Sequence, residues 1–147
     1  ILNVLFVGRV EKDKGLARTA RMLARLKAEN FKFHWWIVGD GSYRVEFQGL
    51  VSSLGLEGQD SFLGMKENPW CYMKAADLTI LPSYAEGLGL VLWESLICGT
   101  PVLATRCGGP EYALDNGRIG TLVDNTDQGL YEGLKQLLEH GCPKVPS

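Results

Sequence analysis

The sequence is poor in the residues that build metal sites and disulfide frameworks. Only two histidines occur, His34 and His140, and neither lies near a cysteine or carboxylate cluster at ligand spacing. The four cysteines show no Cys-x-x-Cys spacing, and two of them sit inside apolar or glycine-rich runs. These absences disfavour a structural zinc site and a disulfide-rich secreted domain. We therefore expect a reduced, cytoplasmic protein.

Long apolar runs and a strong net charge are also missing. No run approaches the ~18 apolar residues of a membrane span, and no signal-peptide pattern opens the chain. The net charge of −2 argues against a nucleic-acid partner. Residues 9–32, however, hold eight basic and three acidic side chains (+5), whereas the remainder holds seven basic and fourteen acidic ones (−7). An anionic ligand is therefore expected near the basic segment.

What remains is typical of one globular α/β domain. With 147 residues, 46% hydrophobic and 22% charged, the chain fits a single domain at 1–141 followed by a truncated tail at 142–147. It starts directly in a strand pattern, as an excised domain does. Strands and helices are predicted to alternate, which indicates a parallel sheet covered on both faces. The strands are predicted at 1–8, 33–38, 60–63, 78–81, 101–104 and 119–123, and the main helices at 15–30, 43–54, 69–76, 89–98 and 128–140.

This alternation predicts a Rossmann-like, doubly wound parallel sheet of about six strands in the order 3-2-1-4-5-6. Ligands of such sheets bind at the C-terminal strand ends, near the switch in strand order. That rule singles out the loops after the first and fourth strands.

The first of these loops lacks the glycines of a dinucleotide-binding fingerprint. It runs from Gly8 and Arg9 to Lys14 and Gly15, with no Gly-x-Gly-x-x-Gly, which disfavours an NAD-dependent oxidoreductase. Arg9 offers a planar fork and Lys14 a compact charge, and both suit phosphate oxygens. The alternative is a pair of solvated surface cations.

The second loop places Glu86 among glycines before a predicted helix. That helix begins near Gly89, and its unpaired amides and positive dipole end suit a phosphate. Glu94 lies inside the helix among apolar residues, so its carboxylate needs hydrogen-bond donors, such as a ribose diol. The alternative for either glutamate is a salt bridge or a helix-start preference.

Three arginines share one face of the first predicted helix, namely Arg18, Arg21 and Arg25. A solvated face is the plain interpretation, and contact with anionic lipid is the alternative. The neighbouring Trp35 and Trp36 lie in a predicted central strand, where core packing is favoured over sugar stacking.

Seven short motifs follow one another in an order and spacing that resemble the C-terminal domain of the large retaining GT-B glycosyltransferase family (group 1, or family 4 type). The resemblance covers residues 1 to about 140. Any one motif is weak, whereas the ordered series is specific. The motifs are Gly8-Arg9…Lys14-Gly15, Val38-Gly39-Asp40-Gly41, Phe62-Leu63-Gly64, Pro82-Ser83…Glu86-Gly87-Leu88-Gly89…Glu94, Cys98-Gly99-Thr100-Pro101-Val102, Gly108-Gly109-Pro110-Glu111 and Gly120-Thr121-Leu122-Val123.

The resemblance implies a role for each matching residue. Arg9 and Lys14 would neutralise the diphosphate, and Glu86 would contact hydroxyls of the transferred sugar. These three residues would take part in catalysis, while Glu94 would hold the ribose. Leu88 stands where phenylalanine is commoner. The implied donor-binding residues are Gly8, Arg9, Lys14, Gly64, Met65, Glu86, Gly87, Leu88, Gly89, Leu90 and Glu94, of which Gly64 and Met65 would receive the base.

A metal-free reaction is expected from the same residues. No Asp-x-Asp occurs in the sequence, and two cations with a helix N-terminus can balance the charge of a departing nucleoside diphosphate. No cofactor is expected, since the nucleotide-sugar is a substrate. The resemblance further implies retention at the anomeric carbon.

The expected function is donor binding in a hexosyltransferase. The partners would be a UDP- or GDP-sugar, a glycan or lipid-linked acceptor, and a missing N-terminal acceptor-binding domain, without which this half would be inactive. The full-length enzyme could contact the inner face of a membrane peripherally. The alternatives are a GT-B-type epimerase or phosphorylase domain, or a non-catalytic nucleotide-sugar-binding module.

Overall fold

Six parallel strands form the single sheet of the domain. The computed structural model describes residues 1–145, so residues 146 and 147 of the predicted tail lie outside it. The strand order is β3-β2-β1-β4-β5-β6, which confirms the predicted order and the Rossmann-like fold class. The strands are β1 (Leu2–Val7), β2 (Phe33–Val38), β3 (Asp60–Gly64), β4 (Leu78–Leu81), β5 (Val102–Thr105) and β6 (Thr121–Val123).

Within residues 1–145, six α-helices connect and cover these strands, and the five that were predicted with bounds begin and end within two residues of those bounds. Two three-residue 3-10 turns, Lys12–Lys14 and Asp115–Gly117, were not predicted, because a single turn leaves no periodic pattern in the sequence. The helices are α1 (Leu16–Ala28), α2 (Arg44–Ser53), α3 (Trp70–Ala75), α4 (Leu90–Ile97), α5 (Gly109–Ala113) and α6 (Asp127–His140).

Both faces of the sheet are buried. Successive residues of β1 point to opposite sides, so Val4 and Phe6 join the cluster beneath α1, α2 and α6. Leu5 packs with Met73 of α3 on the other side. Trp35 is fully buried and meets the Phe47 ring edge-on at a centroid distance of 5.7 Å, which confirms its predicted core role.

The expectation of a solvated arginine face is wrong for Arg18. This side chain is only 1% exposed. Its Nη2 donates to the carbonyl oxygens of Pro82 at 2.7 Å and Ser83 at 3.1 Å, and to Asn125 Oδ1 at 2.6 Å. Helical spacing places Arg18 on the outer face of α1. The first turn of α1 lies against the loop after β4, however, and this loop encloses the side chain.

The other two arginines lie on the surface, as expected. Arg21 is exposed, and Arg25 places its guanidinium carbon 3.7 Å from the centre of the Tyr131 ring. This stacking docks α1 against α6 and gives Arg25 a structural contact.

Replacing Arg18 with methionine is expected to lower the free energy of unfolding by about 1–3 kcal/mol. Methionine keeps the apolar stem but leaves the Pro82 carbonyl without its side-chain donor inside the protein. Urea denaturation measures the change. Arg21→Met, on the exposed side of the same helix, is the matched control and should stay within about 0.5 kcal/mol of the wild type. Equal stabilities for the two variants would contradict this account.

Candidate active site

Two loops meet at the C-terminal ends of β1 and β4, where the strand order switches. We call residues 8–15 the first loop and residues 82–89 the second loop. The Tyr84 amide donates to the Asp13 carbonyl at 3.0 Å. Gly15 has a left-handed φ of 72°, and a Cβ there would lie 1.9 Å from the Pro82 carbonyl oxygen. Only glycine permits this approach, and it holds the loops side by side.

Lys14 and Glu86 form an ion pair across the two loops. The distance from Lys14 Nζ to Glu86 Oε2 is 2.8 Å, and the side chains are only 21% and 14% exposed. Partial burial reduces solvent screening relative to a surface pair. The structure therefore brings together two residues that the sequence suggested for different parts of one ligand. Glu86 thus forms the kind of salt bridge that the sequence offered as the alternative to a ligand contact.

A third segment, after β5, supports the Glu86 backbone. Glu86 and Gly108 form a parallel β-bridge, and the Gly109 amide donates to the Glu86 carbonyl at 2.9 Å. A Cβ on Gly109 would lie 2.5 Å from the Gly87 carbonyl oxygen. The side chain of Cys107 lies in this layer, and burial raises the pKa of its thiol. The sequence showed Gly108 and Gly109 only as part of a family motif and did not predict that they support the second loop.

The N-terminus of α4 is open. Gly89 precedes the helix with φ 66°, and no side chain caps it. Within residues 1–145, the amides of Gly87, Leu88, Gly89 and Leu90 donate no hydrogen bond to the protein. The end of the helix therefore combines free donors with the positive end of the helix dipole.

Arg9 lies apart from the Lys14–Glu86 pair. It is 78% exposed, and its Nη2 lies 3.4 Å from Glu11 Oε1. Glu11 also accepts bonds from the Ser42 hydroxyl and amide, and these bonds lower the pKa of its carboxyl. The guanidinium is thus turned toward the loop after β2, on a side chain that is mostly exposed.

Gly8, Arg9 and Met65 line one cleft of about 200 Å³, together with Asp40 and Lys66. Gly64 adjoins it, and its carbonyl accepts the Gly39 amide at 2.9 Å. A Cβ on Gly39 would lie 1.7 Å from the Gly8 carbonyl oxygen, so only glycine permits this packing. The cleft runs along the ends of β1, β2 and β3.

Glu94 lies half-buried in the second turn of α4, and its Oε2 accepts the indole N–H of Trp70 at 2.9 Å. A half-buried carboxylate needed a donor, and the sequence did not show that α3 supplies one. Nothing in the spacing around Trp70 marks it, because the bond depends on how α3 packs against α4.

Two absences concern only the described part of the chain. Within residues 1–145, no three histidine, cysteine, aspartate or glutamate side chains are grouped so that they could hold a metal ion. Over the same range, every helix is too short or too polar to cross a bilayer. The expectations of a metal-free reaction and of a cytoplasmic location stay predictions.

Solved structures share this fold over nearly the whole chain. Sucrose-phosphate synthase from Thermosynechococcus elongatus matches with a TM-score of 0.85 and 28% identity, covering 95% of this chain and 37% of that one. HepE from Anabaena, in complex with UDP and glucose, matches with a TM-score of 0.83 and 27% identity, covering 95% and 39%. Both structures extend well beyond the region they share with this chain.

Curated relatives are similar at the level of sequence. The lipopolysaccharide core biosynthesis glycosyltransferase LpsE of Rhizobium meliloti (strain 1021) is 32% identical over 136 residues, which are 92% of this chain and 39% of that protein. The D-inositol 3-phosphate glycosyltransferase of Corynebacterium jeikeium (strain K411) is 37% identical over 131 residues, covering 83% and 31%. The chain thus spans two-fifths or less of these relatives' lengths.

The family model described as glycosyl transferases group 1 matches residues 2–145, nearly the whole chain. The match agrees with the ordered motifs and with the observed sheet. This chain belongs to the glycosyl transferases group 1 family.

Proposed function

We propose that the chain is the donor-binding half of a retaining hexosyltransferase that uses a UDP- or GDP-sugar without a metal ion. The observation that carries the proposal is the Lys14–Glu86 pair, which joins the first loop to the second loop just before the open N-terminus of α4. A cation, free amides and a carboxylate are the groups that a sugar diphosphate requires.

Donor binding would exchange partners within the ion pair. Lys14 leaves Glu86 for a phosphate oxygen, and Glu86 is then free to accept hydroxyl protons of the sugar. The amides of Gly87, Leu88, Gly89 and Leu90 receive the remaining phosphate oxygens. Arg9, on its exposed side chain, swings from Glu11 to the diphosphate. A ligand with both a diphosphate and a sugar would thus give Lys14 and Glu86 each a new hydrogen-bonding partner.

The nucleoside would extend from the diphosphate along the sheet edge. Glu94 accepts the ribose hydroxyls, and the cleft beside Gly8, Gly64 and Met65 receives the base. The related HepE structure contains UDP and glucose, which supports a nucleotide-sugar as the ligand class.

Catalysis would rest on charge stabilisation at the leaving diphosphate. The bond to the anomeric carbon breaks as negative charge gathers on the phosphate oxygens, next to Lys14, Arg9 and the start of α4. Removing one preorganised stabiliser of this kind typically costs ~10²–10³ in rate. The proposal includes retention at the anomeric carbon, with the leaving phosphate oxygen taking the acceptor proton.

A second domain would supply the acceptor site. Since the chain spans 39% of the relative LpsE, we expect this half to bind donor weakly and to transfer nothing alone. In the full-length enzyme the acceptor would be a glycan or a lipid-linked glycan, reached from the cytoplasmic side by peripheral membrane contact.

Charge reversal at Arg9 is expected to abolish nucleotide binding. Saturation-transfer NMR should detect binding of UDP or GDP at millimolar concentration to the wild-type chain. It should detect binding of neither nucleotide to Arg9→Glu, because the new carboxylate repels the diphosphate. Arg118→Glu is the control, since Arg118 is similarly exposed at 81% and forms an ion pair with Asp115, away from both loops. Silence of the wild type toward both nucleotides and their sugars would refute the proposed function.

Lys14→Met and Glu86→Gln should separate phosphate binding from sugar binding. Lys14→Met is expected to weaken the binding of UDP or GDP at least tenfold, since a charge-assisted hydrogen bond contributes about 1.5–3 kcal/mol. Glu86→Gln should weaken the nucleotide-sugar more than the free nucleotide.

Titration of each variant with the free nucleotide and with the nucleotide-sugar gives the two Kd values. Lys12→Met, which removes an exposed cation of the same 3-10 turn as Lys14, should change neither Kd. Equal losses for both ligands in Glu86→Gln would contradict the proposed sugar contact.

Nucleotide binding is expected to be independent of divalent cations. Titrations with a chelator and with added Mg²⁺ or Mn²⁺ should give the same Kd, because Lys14, Arg9 and α4 supply the positive charge. A Kd that tightens tenfold or more with either metal would refute metal independence while leaving the donor site intact.

A further inference from the structure

Trp70 is bonded to a residue that the proposed function places on the ligand. Its Nε1–H donates to Glu94 Oε2 at 2.9 Å, which joins the first residue of α3 to the second turn of α4. The Trp70 side chain remains 48% exposed, so burial alone does not fix the ring. The hydrogen bond is therefore the contact that holds indole and carboxylate in one relative orientation.

The chemistry of this bond leaves Glu94 able to receive a ligand. An indole N–H donates and cannot accept, so Trp70 does not compete for hydroxyl protons. An ionised carboxylate has about four lone-pair sites, of which the indole takes one. Within residues 1–145, Glu94 accepts no further side-chain hydrogen bond. One oxygen is thus anchored and the other is free.

We infer that Trp70 is a positioning residue for ribose recognition and sets the preference for ribonucleotides over their deoxy forms. This inference rests on the proposed function, in which Glu94 accepts the hydroxyls of the ribose. Anchored at Oε2, the carboxylate presents a fixed edge to the two hydroxyls. Without the anchor, its side chain has to be ordered when the ligand binds, and affinity falls.

The position of Trp70 along the chain fits this role. The segment from Gly64 to Pro69 leads from the end of β3, beside the cleft proposed for the base, directly into Trp70. One short connection therefore contacts the base at its start and orients the ribose-binding carboxylate at its end. Six residues of chain thus join the sites proposed for the base and for the ribose.

Trp70→Phe is the direct test, because it keeps the aromatic ring and removes the donor. NMR titration of the 147-residue chain gives Kd for UDP, GDP and their 2′,3′-dideoxy forms. The variant is expected to bind the preferred ribonucleotide roughly three- to tenfold more weakly and the dideoxy form unchanged. The wild-type preference for the ribonucleotide should therefore collapse.

Trp93→Phe is the matched control, on α4 beside Glu94. Trp93 directly precedes Glu94, and its indole N–H donates to the Ala113 carbonyl at 2.8 Å instead. Its loss removes an equivalent hydrogen bond and should leave the ribose preference intact. Trp70→His, which keeps a ring N–H, should retain most of the preference and serves if the phenylalanine variant unfolds.

A double-mutant cycle separates positioning from general packing. In a Glu94→Ala background the preference should already be lost, and adding Trp70→Phe should change it no further. The role of Trp70 is overturned if Trp70→Phe keeps the wild-type preference, if Trp70→His loses it, or if the effect persists undiminished in Glu94→Ala. Failure of the wild type to bind UDP or GDP would instead overturn the proposed function, and the inference with it.

Discussion

The contact between the start of α1 and the end of β4 is the constraint on which the rest of the site depends. Gly15 lies against the Pro82 carbonyl at a distance that no Cβ allows. One turn later, Arg18 reaches under the second loop and donates to the same carbonyl. These contacts fix the spacing between two loops that no strand ladder joins. Lys14, directly before the glycine, is thereby delivered to Glu86.

Arg18 is unusual because it is buried without a carboxylate. Its acceptors are carbonyl and amide oxygens, and the Tyr84 ring lies 3.9 Å from its guanidinium carbon. Dipoles and a π face stabilise a cation without neutralising it, so its positive charge persists behind the second loop. Lys14 and Glu86, in contrast, cancel each other's charge within their ion pair. Arg18 therefore contributes a positive charge beside the second loop that no carboxylate contact offsets within residues 1–145.

Sequence reasoning predicted what depends on local pattern and failed where distant segments meet. Strand order and loop placement follow from alternating apolar runs and from the handedness of parallel crossovers. Arg18 was misjudged because helical spacing relates it to Arg21 and Arg25, whereas its burial comes from a loop 64 residues away. Trp70 was missed for the same reason, since its bond to Glu94 exists only through the packing of α3 on α4.

The order of the strands itself explains why these groups converge. Lys14 follows β1, Glu86 follows β4, and Gly108 follows β5, and these three strands are neighbours in the sheet. Because parallel strands end at the same edge, their loops form adjacent layers, each supporting the next. Glu86, in the middle layer, is held by its side chain to one neighbour and by its backbone to the other. The β-bridge to Gly108 therefore holds the Glu86 backbone independently of the side-chain bond to Lys14.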